Sequence, residues 1–206
     1  MAGYKVMGRS VAGSFFVECL LREAGIDYEF IHVSRGHSKS EEFAAISPFA
    51  RVPVLMLPDG RHLIETVAIF IHLIERFPGL APAEGMAERD LMWQHLAVMA
   101  TSLYSAMHRY HHTHYYAPEE MFDGVRDKAG IDGDRWWDYM NAQLHPFLGG
   151  ATPGPADFYL FMITRWAPDR DRMLADRPRL AAFIDSMRTH PTVDAVTQSH
   201  GRPSGS

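Results

Sequence analysis

Residues 52–65 constrain this chain more than any other stretch. Val52-Pro-Val-Leu-Met-Leu57 is apolar and β-prone, Pro58-Asp59-Gly60 is a turn signal, and Arg61-His-Leu-Ile64 returns to an extended pattern. The prediction is strand, tight turn, strand. Pro53 falls at the very start of its strand, where a missing N–H does least harm. From Glu65 the period changes: Ala68, Ile69, His72, Leu73 and Phe77 mark a helix that Pro78-Gly79 stops.

Upstream, element types alternate. Tyr4–Met7 is short and β-prone. Val17, Leu20, Leu21 and Ala24 recur at helical spacing beside Phe16, and Gly25 closes the run. Tyr28–Val33 suggests a second strand, and the polar stretch Ser34–Ser40 leads to a short helical segment, Glu41–Ile46. The order βαβα then ββα fits two parallel strands with helical crossovers and a terminal hairpin in one four-stranded mixed sheet, covered on both faces.

After a Pro/Gly/Ala linker at residues 79–85 the signals are helical only. Met92, Leu96, Met99, Leu103, Ala106 and Tyr110 keep a seven-residue rhythm, so Ala87–Tyr115 is expected as one long helix. Glycines 124, 130 and 133 break the pattern before a second long helix, Asp134–Phe147. Further helices are expected at Ala156–Trp166 and Arg179–Arg188. The architecture is therefore an α/β domain over residues 1–78, an all-helical domain over 86–197, and a frayed tail over 198–206, its clearest part Gly201–Ser206.

Composition removes several function classes. Twenty Lys+Arg against 25 Asp+Glu, with no basic block, argue against a nucleic-acid partner, which needs clustered cations. One cysteine, Cys19, leaves no internal disulfide, CxxC pair or cysteine-based zinc site. The first residues hold no long apolar run, so a cytoplasmic protein without a membrane partner is expected.

Three segments resemble the cytosolic glutathione transferase family. Ser47-Pro-Phe-Ala-Arg51-Val52-Pro53-Val54-Leu55 is similar to its Asn-Pro-x-Gly-Lys-Val-Pro-x-Leu stretch, and Glu65-Thr66-x-Ala68-Ile69 to its Glu-Ser-x-Ala-Ile. Leu148-Gly149-Gly150 followed by Ala156-Asp157 resembles its buried-Asp motif. Each is weak alone; three in order, in a likeness running from Tyr4 to about Ala195, are strong. The resemblance implies a thioredoxin-like first domain, glutathione as co-substrate, no metal, and a homodimer. Gly154 stands where the family has a capping Ser or Thr, a local loss of about 1 kcal/mol. Ala50 and Arg51 replace the usual Gly and Lys.

Glutathione must be held at both ends, and its thiol, with a free pKa of about 8.5, must ionise. Glu65 and Thr66 lie where a strand meets a helix, whose free N–H groups and dipole suit a carboxylate. The resemblance assigns the γ-glutamyl carboxylate to Thr66 and its ammonium to Glu65. It also implies a cis Val52–Pro53 bond that turns the Val52 backbone toward the cysteinyl unit. The plain reading of these residues is a helix cap and an edge-strand start. For the glycyl carboxylate Lys39 is best placed, with Arg35, His37, Ser38 and Arg51 as rivals.

The thiol activator belongs between the first strand and first helix, in Gly8-Arg9-Ser10-Val11-Ala12-Gly13-Ser14. The family's catalytic Ser or Cys aligns near Ala12–Gly13, which carry no functional group, so Ser10 ranks first, Ser14 second and Tyr4 third. The alternative makes both serines loop and capping residues. Cys19, inside the helix, reads as inert packing. Tyr104, His108, Tyr110, His111 and Trp166 are the candidate electrophile pocket, although such stripes also build cores. His108, His111, His112 and His114 fit no common zinc spacing.

The leading expectation is a transferase that activates the glutathione thiol toward a small hydrophobic electrophile by conjugation, displacement or isomerisation. The competing one is a non-catalytic binding or assembly protein of the same fold. Thiol reduction is disfavoured, since it needs a cysteine in the first loop.

Overall fold

β1 (Tyr4–Gly8) is an inner strand of the sheet, paired in parallel with β2 (Tyr28–His32) and antiparallel with β3 (Val54–Met56). β4 (His62–Ile64) pairs antiparallel with β3 and completes the order β2-β1-β3-β4. The structure is a computed structural model that describes residues 3–200. The tail expected at Gly201–Ser206 lies outside the described residues.

The pleat sorts the core. Met7 and Val54 are register partners that pack with Val33 and Phe43, the latter from α2 (Glu41–Ala44). One residue along, Val6 and Leu55 point to the opposite face. That face meets α1 (Ser14–Glu23) and α3 (Thr66–Arg76), whose Phe16 and Phe70 rings lie 5.8 Å apart. α1 ends as expected, with Gly25 at φ +68°. In the hairpin Gly60 takes φ +87° and donates to the Leu57 carbonyl at 2.9 Å, while Asp59 accepts from the Arg61 N–H and guanidinium.

The chain forms two units: residues up to Ala83 together with those from Thr189 onward, and Glu84–Arg188. In the second, the long helix expected over 87–115 is α4 (Ala87–Ala97), a π-helical stretch (Val98–Leu103) and α5 (Tyr104–His111), followed by a 3₁₀ turn at Thr113–Tyr115. α6 (Phe122–Gln143) corrects the expected helix start at Asp134. It runs straight through Gly124, Gly130 and Gly133. Ala129, Gly133, Trp137 and Met140 form its buried stripe, and a Cβ at Gly133 would come within 2.9 Å of the Met107 Cε. Close packing against α5 there offsets a propensity cost of about 1 kcal/mol per glycine.

α7 (Pro155–Thr164) is buried along its whole length. Two helices were not anticipated. α8 (Arg170–Ala175) is capped by Asp169, which accepts from the Arg172 N–H at 2.9 Å. α9 (Pro178–Arg188) follows it, and then α10 (Pro191–Ser199), the second surprise. α10 belongs with the first unit and packs on α1, so the expected helical-domain span to 197 and the tail start at 198 are both corrected. Its end is fastened by a hydrogen bond: His200 Nε2 lies 2.7 Å from Oε1 of Glu18, a buried α1 side chain that also accepts the Tyr28 hydroxyl at 3.0 Å. Thr192 donates to Glu23 beside it.

Candidate functional site

Strand register brings four chain segments to one edge of the sheet. Gly8 pairs with His32, Met7 with Val54, and Val54 with Ile64. The segments leaving β2, β1 and β4 and the one entering β3 therefore emerge side by side in sheet order. Gly13, the residue before α1, shows how closely three of them meet. A Cβ there would lie 2.8 Å from Pro53 Cδ and 3.3 Å from Thr66 Oγ1. The Val52–Pro53 peptide is cis, as the resemblance implies.

The same edge collects backbone strain. Among the described residues the non-glycine positive-φ positions are Val11 (57°), Ala50 (54°) and Glu65 (69°). Val11 follows β1, Ala50 precedes Pro53, and Glu65 joins β4 to α3. Such conformations cost of order 1–3 kcal/mol each and gather at binding and catalytic sites. Ala50 is where the family motif has Gly, and Ala50→Gly should raise stability by about 0.5–1 kcal/mol, measured by urea unfolding.

The predicted thiol activators fare differently. Ser14 is fully buried; its hydroxyl donates to the Arg9 carbonyl at 2.9 Å and accepts the Arg9 N–H at 3.2 Å, which closes the loop. Ser10 is exposed in the β1–α1 turn. Tyr4 stands at the other end of β1, its hydroxyl 3.3 Å from His72 Nε2 and its ring against Phe77, away from the Thr66 end of α3. Burial holds its phenol above the ordinary range. Cys19 is buried within α1.

At the start of α3 no side chain caps the helix, so its first-turn amides and the partly buried Thr66 share the open edge with exposed Glu65. Val52 is partly buried beside them. Of the candidates for the glycyl end, Ser38 is buried and donates to the Arg35 carbonyl at 3.0 Å, and the His37 ring meets Phe43 edge-on at 5.7 Å. Lys39, Arg35 and Arg51 are exposed. The Arg51 backbone is clamped by buried Ser47, which donates to its carbonyl at 2.9 Å. The sequence reading passed over Arg9, whose Nε donates to the Val33 carbonyl at 2.8 Å. Its only signal was a cation at a strand end in a loop free of acids.

In the helical unit Tyr104 stacks on His108 at 5.7 Å and meets Trp166 edge-on at 5.8 Å. His111 Nε2 lies 2.7 Å from the Trp166 carbonyl, and the Tyr110 ring abuts His111. His108 bonds Tyr116 and lies nearly parallel to the Tyr115 ring at 5.8 Å. A surface cleft of about 510 Å³ is lined by Arg109, Tyr116, Met121 and Lys128 and contains none of the five predicted electrophile residues. Among the described residues no three His, Cys, Asp or Glu side chains are grouped to hold a metal, and no helix is long and apolar enough to cross a membrane. Asp157, the predicted buried acid, accepts from the Leu148 N–H at 2.8 Å and the Gly154 N–H at 2.9 Å.

Residues 16–81 match the family model "Glutathione S-transferase, N-terminal domain". The chain is 27% identical over 198 residues to the uncharacterized GST-like protein YncG of Escherichia coli (strain K12), covering 93% of this chain and 96% of that protein. It is 29% identical over 190 residues to glutathione S-transferase GstA of Escherichia coli O157:H7, covering 88% and 90%. The solved sphingomonad glutathione S-transferase complexed with glutathione superposes with a TM-score of 0.80 at 25% identity, covering 97% of this chain and all of that one.

Proposed function

Because the chain belongs to the glutathione S-transferase family, we propose that it binds reduced glutathione along the loop-bearing edge of its first unit and promotes attack of the thiolate on a small hydrophobic electrophile. The observation that carries this reading is the meeting of Gly13, Pro53 and Thr66, flanked by every described non-glycine residue of positive φ. The Thr66 hydroxyl and the uncapped amides of α3 receive the γ-glutamyl carboxylate, Glu65 faces its ammonium, and the Val52 backbone pairs with the cysteinyl unit. Lys39 and Arg51 are the rivals for the glycyl end.

Ser10 is the thiol activator in this reading, since the Ser14 hydroxyl is engaged within its own loop. A hydroxyl donating to S⁻ is a charge-assisted bond of about 1.5–3 kcal/mol. Ser10→Ala should therefore lower kcat/KM with a chlorinated nitroarene by roughly 10–100-fold and leave the thermal midpoint nearly unchanged. Retention of the wild-type rate would remove Ser10 from this role. The electrophile packs against Tyr104, His108 and Trp166, with Tyr110 and His111 beside them. The protein acts as a cytoplasmic homodimer, and a monomeric mass in solution would contradict that part.

A second reading, glutathione binding without turnover, draws on the missing functional groups at Ala12 and Gly13. Stabilisation by millimolar glutathione without turnover of any electrophile would favour it. No thermal shift at that concentration would overturn both readings.

A further inference from the structure

The loops that leave β1 and β2 carry Arg9, Arg35, His37 and Lys39 between residues 9–13 and 33–40, and no Asp or Glu. Arg9 is the cation that the fold holds in place. Its Nε donates to the Val33 carbonyl, its backbone is tied to Ser14 on both sides, and Val33 N–H in turn donates to the Gly8 carbonyl at 2.8 Å. The guanidinium thus bridges the two loops through Nε, and among the described residues neither Nη group has a hydrogen-bond partner. The residue is partly buried, yet among the described residues neither Arg9 nor Arg35 has a carboxylate within ion-pair distance. Burial first, and the like charge of Arg35 second, weaken the Arg9 proton's hold. A half-buried cation beside a second cation is an arrangement that an incoming anion relieves.

We propose that Arg9, seconded by Arg35, is the residue that binds the glycyl carboxylate of glutathione; this rests on the glutathione reading above. The sheet supplies the distance. From β4, where the γ-glutamyl end docks beside Thr66, to β1 is two strand spacings, about 10 Å. An extended tripeptide spans about the same length. One end on α3 and the backbone along Val52 therefore deliver the other end to the Arg9 loop. A guanidinium fork matches a carboxylate through two parallel N–H donors. Lys39, exposed on the 3₁₀ turn His37–Lys39, must first be ordered from solvent.

The test is titration calorimetry of the whole protein with glutathione and with its glycyl ethyl ester. The wild type should bind the ester roughly 10–100-fold more weakly than the acid. Arg9→Met should weaken acid binding by a similar factor, leave ester binding in place, and so abolish the discrimination. Arg35→Met, at an exposed position that cannot upset folding, should narrow the acid-to-ester ratio by roughly 3–10-fold. Equal loss of both compounds in Arg9→Met, or a larger change in the ratio for Lys39→Met than for Arg9→Met, would overturn the assignment. Tight, indiscriminate binding of acid and ester by the wild type would overturn it while leaving the glutathione reading intact. Failure to bind either would overturn both.

Discussion

Gly8→Ala should be among the most damaging single substitutions in the first unit, costing about 3 kcal/mol. The new methyl group would lie 2.2 Å from Ser14 Cβ and 2.3 Å from its Oγ, with Phe30 Cε2 at 3.0 Å. A rotamer change cannot move a Cβ, so β1 and α1 would have to separate, and the Arg9–Ser14 loop with them. For a chain of this size the thermal midpoint should fall by roughly 10 °C. Adding Ser14→Gly removes both of the nearest obstructing atoms and should recover part of the loss. If Gly8→Ala alone melts like the wild type, β1 and α1 do not meet as described.

Asp157→Ala should cost the helical unit a comparable amount, about 3 kcal/mol, because it strands the buried N–H of Leu148 and the partly buried N–H of Gly154. Gly154 has no side chain to return a bond, so half of a capping box is all that α7 has. Burial pushes the Asp157 carboxyl up to about 6, outweighing the N–H groups of Gly154, Leu148 and Gly149 that favour the anion. The folded state therefore binds its proton more tightly than the unfolded chain. The stability from that proton is complete below about 4 and disappears as pH rises through about 6. The deficit of Asp157→Ala relative to wild type should accordingly be larger at pH 4 than at pH 8, measured by urea unfolding at both. An equal deficit at the two would contradict the raised pKa.

What was legible in the chain was local. Residues 52–65 announce strand, turn, strand and helix through Pro, Asp-Gly and a change of period, and each appears where expected. The edge that they build was legible only by likeness to a family, because register partners such as Met7 and Val54 are brought together by the sheet and not by spacing. Long-range packing explains the misses. Gly124, Gly130 and Gly133 read as a break, yet α6 passes through all three; Gly133 faces Met107 of α5, while a Cβ at Gly124 or Gly130 would meet nothing within 4 Å. Ser14 stood second only to Ser10 as a candidate, and the fold turns its hydroxyl back onto Arg9. No periodicity could link Glu18 to His200, which stand 182 positions apart.

That last pairing makes the sheet unit discontinuous. Its first part ends at Ala83, but the helix that covers α1 arrives only after the whole helical unit has been made. A fragment cut at the linker would expose the α1 surface on which α10 packs, and Glu18 would lose His200 and keep only the Tyr28 hydroxyl. Burial and the Glu18 charge hold that phenol well above its usual range, so it stays protonated and donates. During synthesis the sheet of this unit would thus be outlined early, and α10 would cover α1 only after the helical unit had been made.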